Sequence, residues 1–559
     1  MKGLMQVENW KQTISDGKAN RIGHWPLRTD SRDWSEFGRH GREEKIRYQD
    51  AAIFDGETSF IILPDVPETN GSEPFTLSLE FKVEDETGKL PGGLFSRYDN
   101  DSRAGWHLSV LTQAGVTMSQ ANWRNLQFGW SSGHSTDAWK DRGTPGNSSF
   151  ISSMCVCDGS LYVGTFDDAA DSIGRVYRLA EDGSWDNCGH PDKSNCVASL
   201  VEWEGRLYAG SMRYRAGGSH MKGSVNHEPG GRIYRYEGGQ TWSLFAELPV
   251  KIESGMPAYN PNEPTVFTGS ENDSVGAMTV YQNHLIAMSF YPYGIFAFDA
   301  DGNVKDLGAP GPMGKTRTFT LAPFRGRLYV GCNETAGVYS RTLESPWEFN
   351  GIVPYCDQVY SFAVYQNELM MGIWREGRMY QYNGGIEWTD CGLMGEELEV
   401  MGVSVFNGQL YAGTLPGGHV YRYKGGTAWE LSAKLEEAPS ETDYCRVWSM
   451  AVYDGELFAG TLPSGKVWSL KNDPMAMDNR SLTDGWHKVT AVYDLVSLSL
   501  YLDGELVSTA QIDANSQIQP QSQIPLLIGQ GPQCRFSGRI REVELFDAAL
   551  PPNTGQSVE

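Results

Sequence analysis

Short apolar strands separated by turns recur along the middle of the chain. Seven similar phrases alternate bulky apolar and small residues: LYVGT at 161, LYAGS at 207, LIAMS at 285, LYVGC at 328, LMMGI at 369, LYAGT at 410 and LFAGT at 457. Each follows an alternating strand that ends in a turn, such as CVCDGS, and precedes a third strand, such as RVYRL. A Gly-rich turn and a Trp-bearing strand usually close the unit. Alternation with period two predicts β-strands throughout this region.

The period of the repeat indicates its architecture. Successive copies start 41 to 47 residues apart, apart from one interval of 78. Three or four short strands at this period are typical of a β-propeller blade, so seven copies predict a seven-bladed propeller over residues 145–472. A β-solenoid or open array is the alternative. We place the small residues of the second strand at the crowded propeller centre. The last copy lacks a Trp strand, so we expect its outer strand to come from residues just before 150.

The segments on either side of the repeat carry a second pattern. AAIFDGETSFIILP, FTLSLEFKV and GWHLSVL precede the repeat, and DGWHKVTAVYD, LSLYLDGELV and FSGRIREVELFDAAL follow it. In this order the segments resemble the strands of laminin-G-like, concanavalin A-like jelly rolls. The resemblance implies one jelly roll in two parts, residues 20–135 and 480–550. The predicted fold class is therefore all-β, with a seven-bladed propeller inserted into a jelly-roll sandwich. This fold does not by itself identify a function.

Composition narrows the classes of partner. The 559 residues include 46 Lys and Arg against 70 Asp and Glu, a net charge of −24. Such a charge disfavours nucleic acid as a partner. No run of apolar residues is long enough for a membrane span. The first residues lack the apolar core of a signal peptide, so the localisation is either cytoplasmic or secreted with the signal removed.

One insertion, at 211–232, breaks the repeat and is basic on an acidic protein. It contains Arg213, Tyr214, Arg215, His220, Lys222, His227 and Arg232. Arginine or lysine can neutralise the carboxylate of a uronate sugar, and histidine or tyrosine can move protons. We therefore assign carboxylate neutralisation to Arg215 and Lys222. Proton transfer is assigned to His220, His227 and Tyr291. The alternative is a solvated loop.

Further candidates lie between the second and third strands of other blades. We predict that six residues contribute to substrate binding. Arg213 and Lys222 belong to the insertion, and the others are Tyr293, Asn333, Trp374 and Arg375. The same loop of the first blade contains Asp167, Asp168 and Asp171, whose carboxylates suit a hard cation such as Ca²⁺. A solvated acidic turn is the other interpretation. No cofactor is required for the predicted chemistry, and a structural Ca²⁺ is an option.

These residue types favour β-elimination of an acidic polysaccharide or oligosaccharide. In architecture and in kinds of residue the chain resembles polysaccharide lyases of the ulvan lyase and rhamnose–glucuronate lyase type. The resemblance implies the reaction class and assigns no individual residue. Two alternatives stay open. A glycoside hydrolase would need two placed carboxyl groups, for which Glu334 and Glu376 are candidates. A non-catalytic platform for carbohydrate or protein would use the same basic loop.

Overall fold

The computed structural model describes residues 19–84, 88–114, 120–134, 136–169, 172–214, 219, 221, 224–249, 274–290, 294–311, 317–333, 337–437, 444–512 and 524–552. These residues form β-strands and one 3-10 turn, Pro67–Thr69. Within them, the structure contains no helix with the length and hydrophobicity needed to cross a lipid bilayer. The all-β fold class predicted from the sequence is confirmed.

Seven four-stranded blades make up the repeat region of the described chain. Blade 1 has β11 (Phe150–Cys157), β12 (Ser160–Phe166), β13 (Val176–Leu179) and β14 (Trp185–Asn187). Blade 2 has β15 (Cys196–Trp203), β16 (Arg206–Met212), β17 (Arg232–Gly238) and β18 (Thr241–Glu247). Blade 3 has β19 (Ala277–Tyr281), β20 (His284–Ser289), β21 (Gly294–Phe298) and β22 (Val304–Asp306). Blade 4 has β23 (Thr318–Phe324), β24 (Arg327–Cys332), β25 (Val338–Arg341) and β26 (Glu348–Phe349).

The remaining three blades follow the same antiparallel order. Blade 5 has β27 (Cys356–Tyr365), β28 (Glu368–Arg375), β29 (Arg378–Gly384) and β30 (Glu387–Leu393). Blade 6 has β31 (Glu399–Phe406), β32 (Gln409–Leu415), β33 (His419–Gly425) and β34 (Ala428–Lys434). Blade 7 has β35 (Arg446–Tyr453), β36 (Glu456–Leu462), β37 (Val467–Lys471) and, as its outer strand, β10 (Ala138–Asp141). Strand β10 pairs with β37. The ring is thus closed by residues before 150, as predicted.

The first strand of each blade is the innermost, which corrects the placement predicted for the second strand. First strands of successive blades contact one another, as β11 does with β15 and with β35. The small residues of the second strand instead make room for the neighbouring blade. A Cβ on Gly164 would lie 2.6 Å from the Val197 carbonyl oxygen, and one on Gly372 would lie 2.8 Å from the Val400 Cβ. Glycine lets the next blade approach this closely because it has no side chain.

Tryptophans of the fourth strands connect neighbouring blades. The indole N–H of Trp429 in blade 6 donates to the Cys391 carbonyl of blade 5 at 2.8 Å. Equivalent indole bonds reach back from blades 1, 2 and 5, in the pairs Trp185–Arg142, Trp242–Cys188 and Trp388–Asn350. These bonds satisfy an otherwise buried donor and explain why the repeat ends on a tryptophan.

Two sheets form the jelly roll. The first has the order β3-β4-β43-β6-β39-β40-β41, with β1 beside β43. Its strands are β1 (Arg21–Trp25), β3 (Arg47–Tyr48), β4 (Ala52–Asp55), β6 (Phe75–Val83), β39 (Trp486–Tyr493), β40 (Ser497–Leu502), β41 (Glu505–Gln511) and β43 (Ser537–Phe546). The second has the order β2-β5-β42-β7-β8-β9-β38. Its strands are β2 (Arg42–Glu44), β5 (Phe60–Leu63), β7 (Gly92–Asp99), β8 (Ala104–Gln113), β9 (Asn122–Ser132), β38 (Met475–Ser481) and β42 (Leu526–Ile528).

The propeller is inserted between two adjacent strands of this sandwich. Strand β9 leads into the propeller, β38 leads out of it, and the two pair antiparallel, with Gly129 opposite Met475. Strand β6, from the first part, lies between β39 and β43, from the second. Neither part can therefore complete the first sheet alone. A buried apolar core, which includes Trp25, Phe75 and Trp106, fills the space between the sheets.

The jelly roll closes one end of the propeller axis. Four backbone N–H groups at the same position near the end of their inner strands donate to oxygens of the sandwich: Val156 to Ala121, Val280 to Gln120, Val405 to Gln113 and Val452 to Asn122. The acceptors lie at the ends of β8 and β9, and we call them the plug. The plug therefore occupies the end of the propeller axis at which the inner strands end.

Candidate functional site

Aromatic side chains cluster at the end of the propeller axis where the inner strands begin, called the axial mouth from here on. The rings of Phe150 and Trp448, at the starts of the inner strands of blades 1 and 7, lie 4.8 Å apart. From the other side, the Phe319 ring lies 4.4 Å from that of Tyr360 and 6.3 Å from that of Trp448. Tyr214 packs on Phe150 at 5.2 Å. Residues from distant blades thus meet at the axis and form an apolar floor.

A buried ion pair interrupts this floor. Glu399 begins β31 and Arg446 begins β35, and Arg446 Nη2 lies 3.6 Å from Glu399 Oε2. Their side chains are only 1% and 6% exposed. Among the described residues, Glu399 Oε1 and the Nε and Nη1 atoms of Arg446 are buried without a hydrogen-bond partner. Unsatisfied charged groups cost stability, so a buried pair with missing partners is a candidate site for a ligand.

Burial changes the acidity of this carboxyl group. Desolvation raises the pKa of Glu399 to about 7, and the nearby charge of Arg446 and a hydrogen bond with Tyr360 offset only part of the effect. A carboxyl group that titrates near neutrality can accept a proton and return it at physiological pH. The mouth therefore combines a carboxyl group of raised pKa with a guanidinium whose Nε and Nη1 atoms lack acceptors.

Three of the predicted substrate-binding residues lie around the mouth. Trp374 pairs through its backbone with Glu399, which places it beside the ion pair. Arg375 is exposed, forms an ion pair with Asp357 and lies over the Trp374 ring at 5.7 Å. Asn333 is only 1% exposed, and its amide oxygen accepts from Arg317 Nη2 at 2.7 Å in the orientation that satisfies both groups. Trp374 and Arg375 are therefore open to a ligand, whereas Asn333 orients Arg317.

The structure brings two residues of the basic insertion together. Arg213 Nη2 donates to Nδ1 of His227, whose side chain is exposed. An imidazole that accepts at Nδ1 carries its proton at Nε2, so in this arrangement the Nε2–H group of His227 can donate a hydrogen bond. Its predicted catalytic role stays a prediction.

Several predicted residues lie outside the described part of the chain: Arg215, His220, Lys222, Tyr291, Tyr293, Asp171 and the hydrolase candidate Glu334. Of the predicted calcium ligands, Asp167 and Asp168 are described. Asp167 Oδ1 accepts from the Ala169 N–H at 2.9 Å, which is a local turn contact. The described residues contain no group of three or more His, Cys, Asp or Glu placed to hold a metal ion.

Glu399, Arg446 and Tyr360 are not among the residues predicted from the sequence, because the prediction rests mainly on the loops after the second strands. A usable signal was present in the inner strands. EVMGVSVF and RVWSMAVY begin with a charged residue, whereas FISSMCVC and CVASLVEW begin with a buried apolar or thiol side chain. A charge at the start of a fully buried strand is expensive and is a reason to suspect a site.

Comparison with known protein families agrees with the fold. Residues 453–554 match the concanavalin A-like lectin/glucanases superfamily. This match covers the second part of the jelly roll and confirms the resemblance seen in its strands. No curated protein sequence matches the chain.

Solved structures with a similar fold are only distantly related. An inactive virginiamycin B lyase from Staphylococcus aureus, in complex with quinupristin, has 12% identity and a TM-score of 0.45 over 60% of this chain and 99% of its own. The WD40 propeller of Doa1 has 10% identity and a TM-score of 0.41 over 60% and 97%. A Bacteroides thetaiotaomicron protein of unknown function has 8% identity and a TM-score of 0.36 over 81% and 98%. Similarity at this level concerns the fold alone.

Proposed function

We propose that the protein binds an acidic, uronate-containing saccharide at the axial mouth and cleaves it by β-elimination. One observation carries this proposal: the buried pair of Glu399 and Arg446, at the axial mouth, has unsatisfied atoms on both partners. A sugar carboxylate would give an acceptor to Arg446 Nε or Nη1, which both lack one. Aromatic neighbours such as Trp374 suit the apolar face of a sugar ring.

The proposed reaction assigns one task to each group. Arg446 neutralises the uronate carboxylate and so stabilises the negative charge that develops when the neighbouring C5–H bond breaks. The Glu399 carboxylate accepts that proton. The C4–O bond then breaks, a C4=C5 double bond forms, and the leaving oxygen takes a proton from the Tyr360 phenol. No water is consumed, so the products are an unsaturated uronate and a free hydroxyl group.

A lyase fits the described residues better than a hydrolase. Glycoside hydrolysis requires two carboxyl groups placed on either side of the bond. Of the two candidates, Glu376 is bound to Arg378 Nε at 2.5 Å, and Glu334 lies outside the described residues. A carbohydrate-binding platform without turnover is the outcome to be separated by experiment.

The test is incubation with ulvan, alginate, pectin, glycosaminoglycans and glucuronate-capped gums, followed by the ultraviolet absorbance of the conjugated product. We expect absorbance to rise with at least one substrate. Glu399→Gln should lower the rate by about a hundredfold or more, in the range of a lost general base. New reducing ends without absorbance would indicate a hydrolase, and binding without products would indicate a platform; either result contradicts the proposal.

A matched control separates chemistry from folding. Glu202 is likewise buried, and its pKa is likewise raised to about 7, but it lies near the end of its inner strand, on the plugged side. We expect Glu202→Gln to keep full lyase activity. Equal loss of activity in both variants would show that Glu399 has no special role.

A further inference from the structure

A second cavity lies at the contact between the two modules, far from the axial mouth. This seam pocket has a volume of about 340 Å³, and its walls include Trp123 and Ser481 of the jelly roll and Glu202 and Asn283 of the propeller. That volume is at the lower end of the roughly 300–1,000 Å³ typical of small-molecule sites. Along the axis, the start and end of an eight-residue inner strand are separated by about 20 Å or more. The seam pocket and the mouth are therefore separate.

Two residues that line the seam pocket have buried polar atoms whose hydrogen bonds are incomplete. Glu202 is 2% exposed, and its Oε2 atom has no hydrogen-bond partner among the described residues. The Ser481 hydroxyl is close enough to stabilise the carboxylate, yet its own bonding is also incomplete. A buried carboxyl oxygen without a donor is costly unless a ligand or water supplies one, and Glu202 lies at the wall of a cavity that could hold either.

The charges around the pocket select the class of ligand. The Arg124 guanidinium lies 4.7 Å from the Trp123 ring centroid and pairs with Asp484 at 3.5 Å. This cation opposes a positively charged ligand at the aromatic wall. Glu202, Glu204 and Asp484 oppose an anionic one. What remains favourable is an uncharged molecule with several hydroxyl groups and an apolar face.

We infer that the seam pocket binds a neutral saccharide unit. Its hydroxyl groups donate to Glu202 Oε2 and exchange hydrogen bonds with Ser481 and Asn283, and its apolar face packs on the accessible part of Trp123. The site is built by both modules, so a bound saccharide would connect them. This inference goes beyond the proposed lyase activity, because it concerns a different site and an uncharged ligand.

The test uses isothermal titration of the full chain with cellotetraose, maltotetraose, xylotetraose and mannotetraose. We expect at least one to bind. Both Glu202→Gln, which keeps the shape of the side chain, and Trp123→Ala should weaken that binding by about tenfold or more. A cooperative unfolding transition in each variant checks that it is folded, and the isosteric Glu202→Gln decides the question if Trp123→Ala does not fold.

Two controls make the result specific. Trp486 on the jelly roll also lies under an arginine, with the Arg541 guanidinium 4.1 Å from its ring, but it does not line the pocket. Trp486→Ala should leave saccharide binding unchanged. Glu399→Gln at the mouth should also leave it unchanged, so failure of the lyase proposal does not affect this test. The inference is overturned if no tetrasaccharide binds, if both pocket variants bind as well as the native protein, or if Glu399→Gln abolishes binding.

Discussion

Replacing Glu202 by glutamine should stabilise the protein, and more so as the pH rises. Desolvation raises the pKa of Glu202 from 4.5 in the unfolded chain to about 7 in the folded protein. Between these values the folded protein retains a proton that the unfolded chain has lost. Stability therefore falls as the pH rises through this window, and the loss is complete above about pH 7.

The size of the effect follows from the shift. Each unit of pKa corresponds to about 1.4 kcal/mol, so keeping Glu202 ionised in the folded state costs about 3 kcal/mol. Glutamine has the same shape and no charge to desolvate. Its advantage over the native protein should rise from about 1 kcal/mol near pH 5.5 to about 3 kcal/mol near pH 8.5. Glu399 titrates in both proteins, so its contribution cancels in the comparison.

Urea unfolding, followed by tryptophan fluorescence, measures this difference. The series should begin near pH 5.5, because solubility is lowest around the sequence pI of 4.9. The change in unfolding midpoint between Glu202→Gln and the native protein is the quantity to plot against pH. An advantage that stays constant, or shrinks as the pH rises, would refute the assignment of Glu202 as a desolvated carboxyl group.

Three further predictions test the packing. Asn122→Ala leaves the backbone N–H and carbonyl groups of Val452 without their partners, and urea unfolding should show that the free energy of unfolding falls by about 2–4 kcal/mol. A fall below about 1 kcal/mol would contradict the contact between the plug and the inner strands. Trp429→Phe removes the bond to Cys391 and should cost about 1 kcal/mol, with the 68% exposed Trp34→Phe as a neutral control. All nine cysteines are buried and outside any disulfide bond, so a thiol reagent should label none before unfolding and all of them in urea.

The propeller could be predicted because the same packing contacts recur from blade to blade. Gly164 and Gly372 occupy the same position of their blades, where the next blade comes too close for a side chain. Trp185 and Trp429 likewise repeat one hydrogen bond to the preceding blade. Such requirements leave a period in the sequence. They do not show which strand is innermost, because the glycines allow close contact between neighbouring blades and do not lie at the axis.

The axial mouth could be predicted only in part, because each blade contributes a different side chain to it. Trp374 lies beside Glu399, and its role in substrate binding stays a prediction. Glu399 and Arg446 come from two inner strands and form a pair only when the ring closes. The plug was also not predictable, since Gln120 and Asn122 belong to the jelly roll and contact strands far along the chain. Contacts between segments that differ from one another leave no periodic pattern in the sequence.

The position of the insertion has a consequence for how the chain folds during synthesis. The first strands of the sandwich, up to β9, are made before residues 133–474 and cannot complete their sheets until β38 to β43 arrive. Closing a flexible loop of about 340 residues costs roughly 3–4 kcal/mol more than closing one of about 6 residues. Pairing of β10 with β37 removes most of that cost, because it brings the two ends of the propeller together. Closure of the propeller ring would thus be the step that allows the two parts of the jelly roll to assemble.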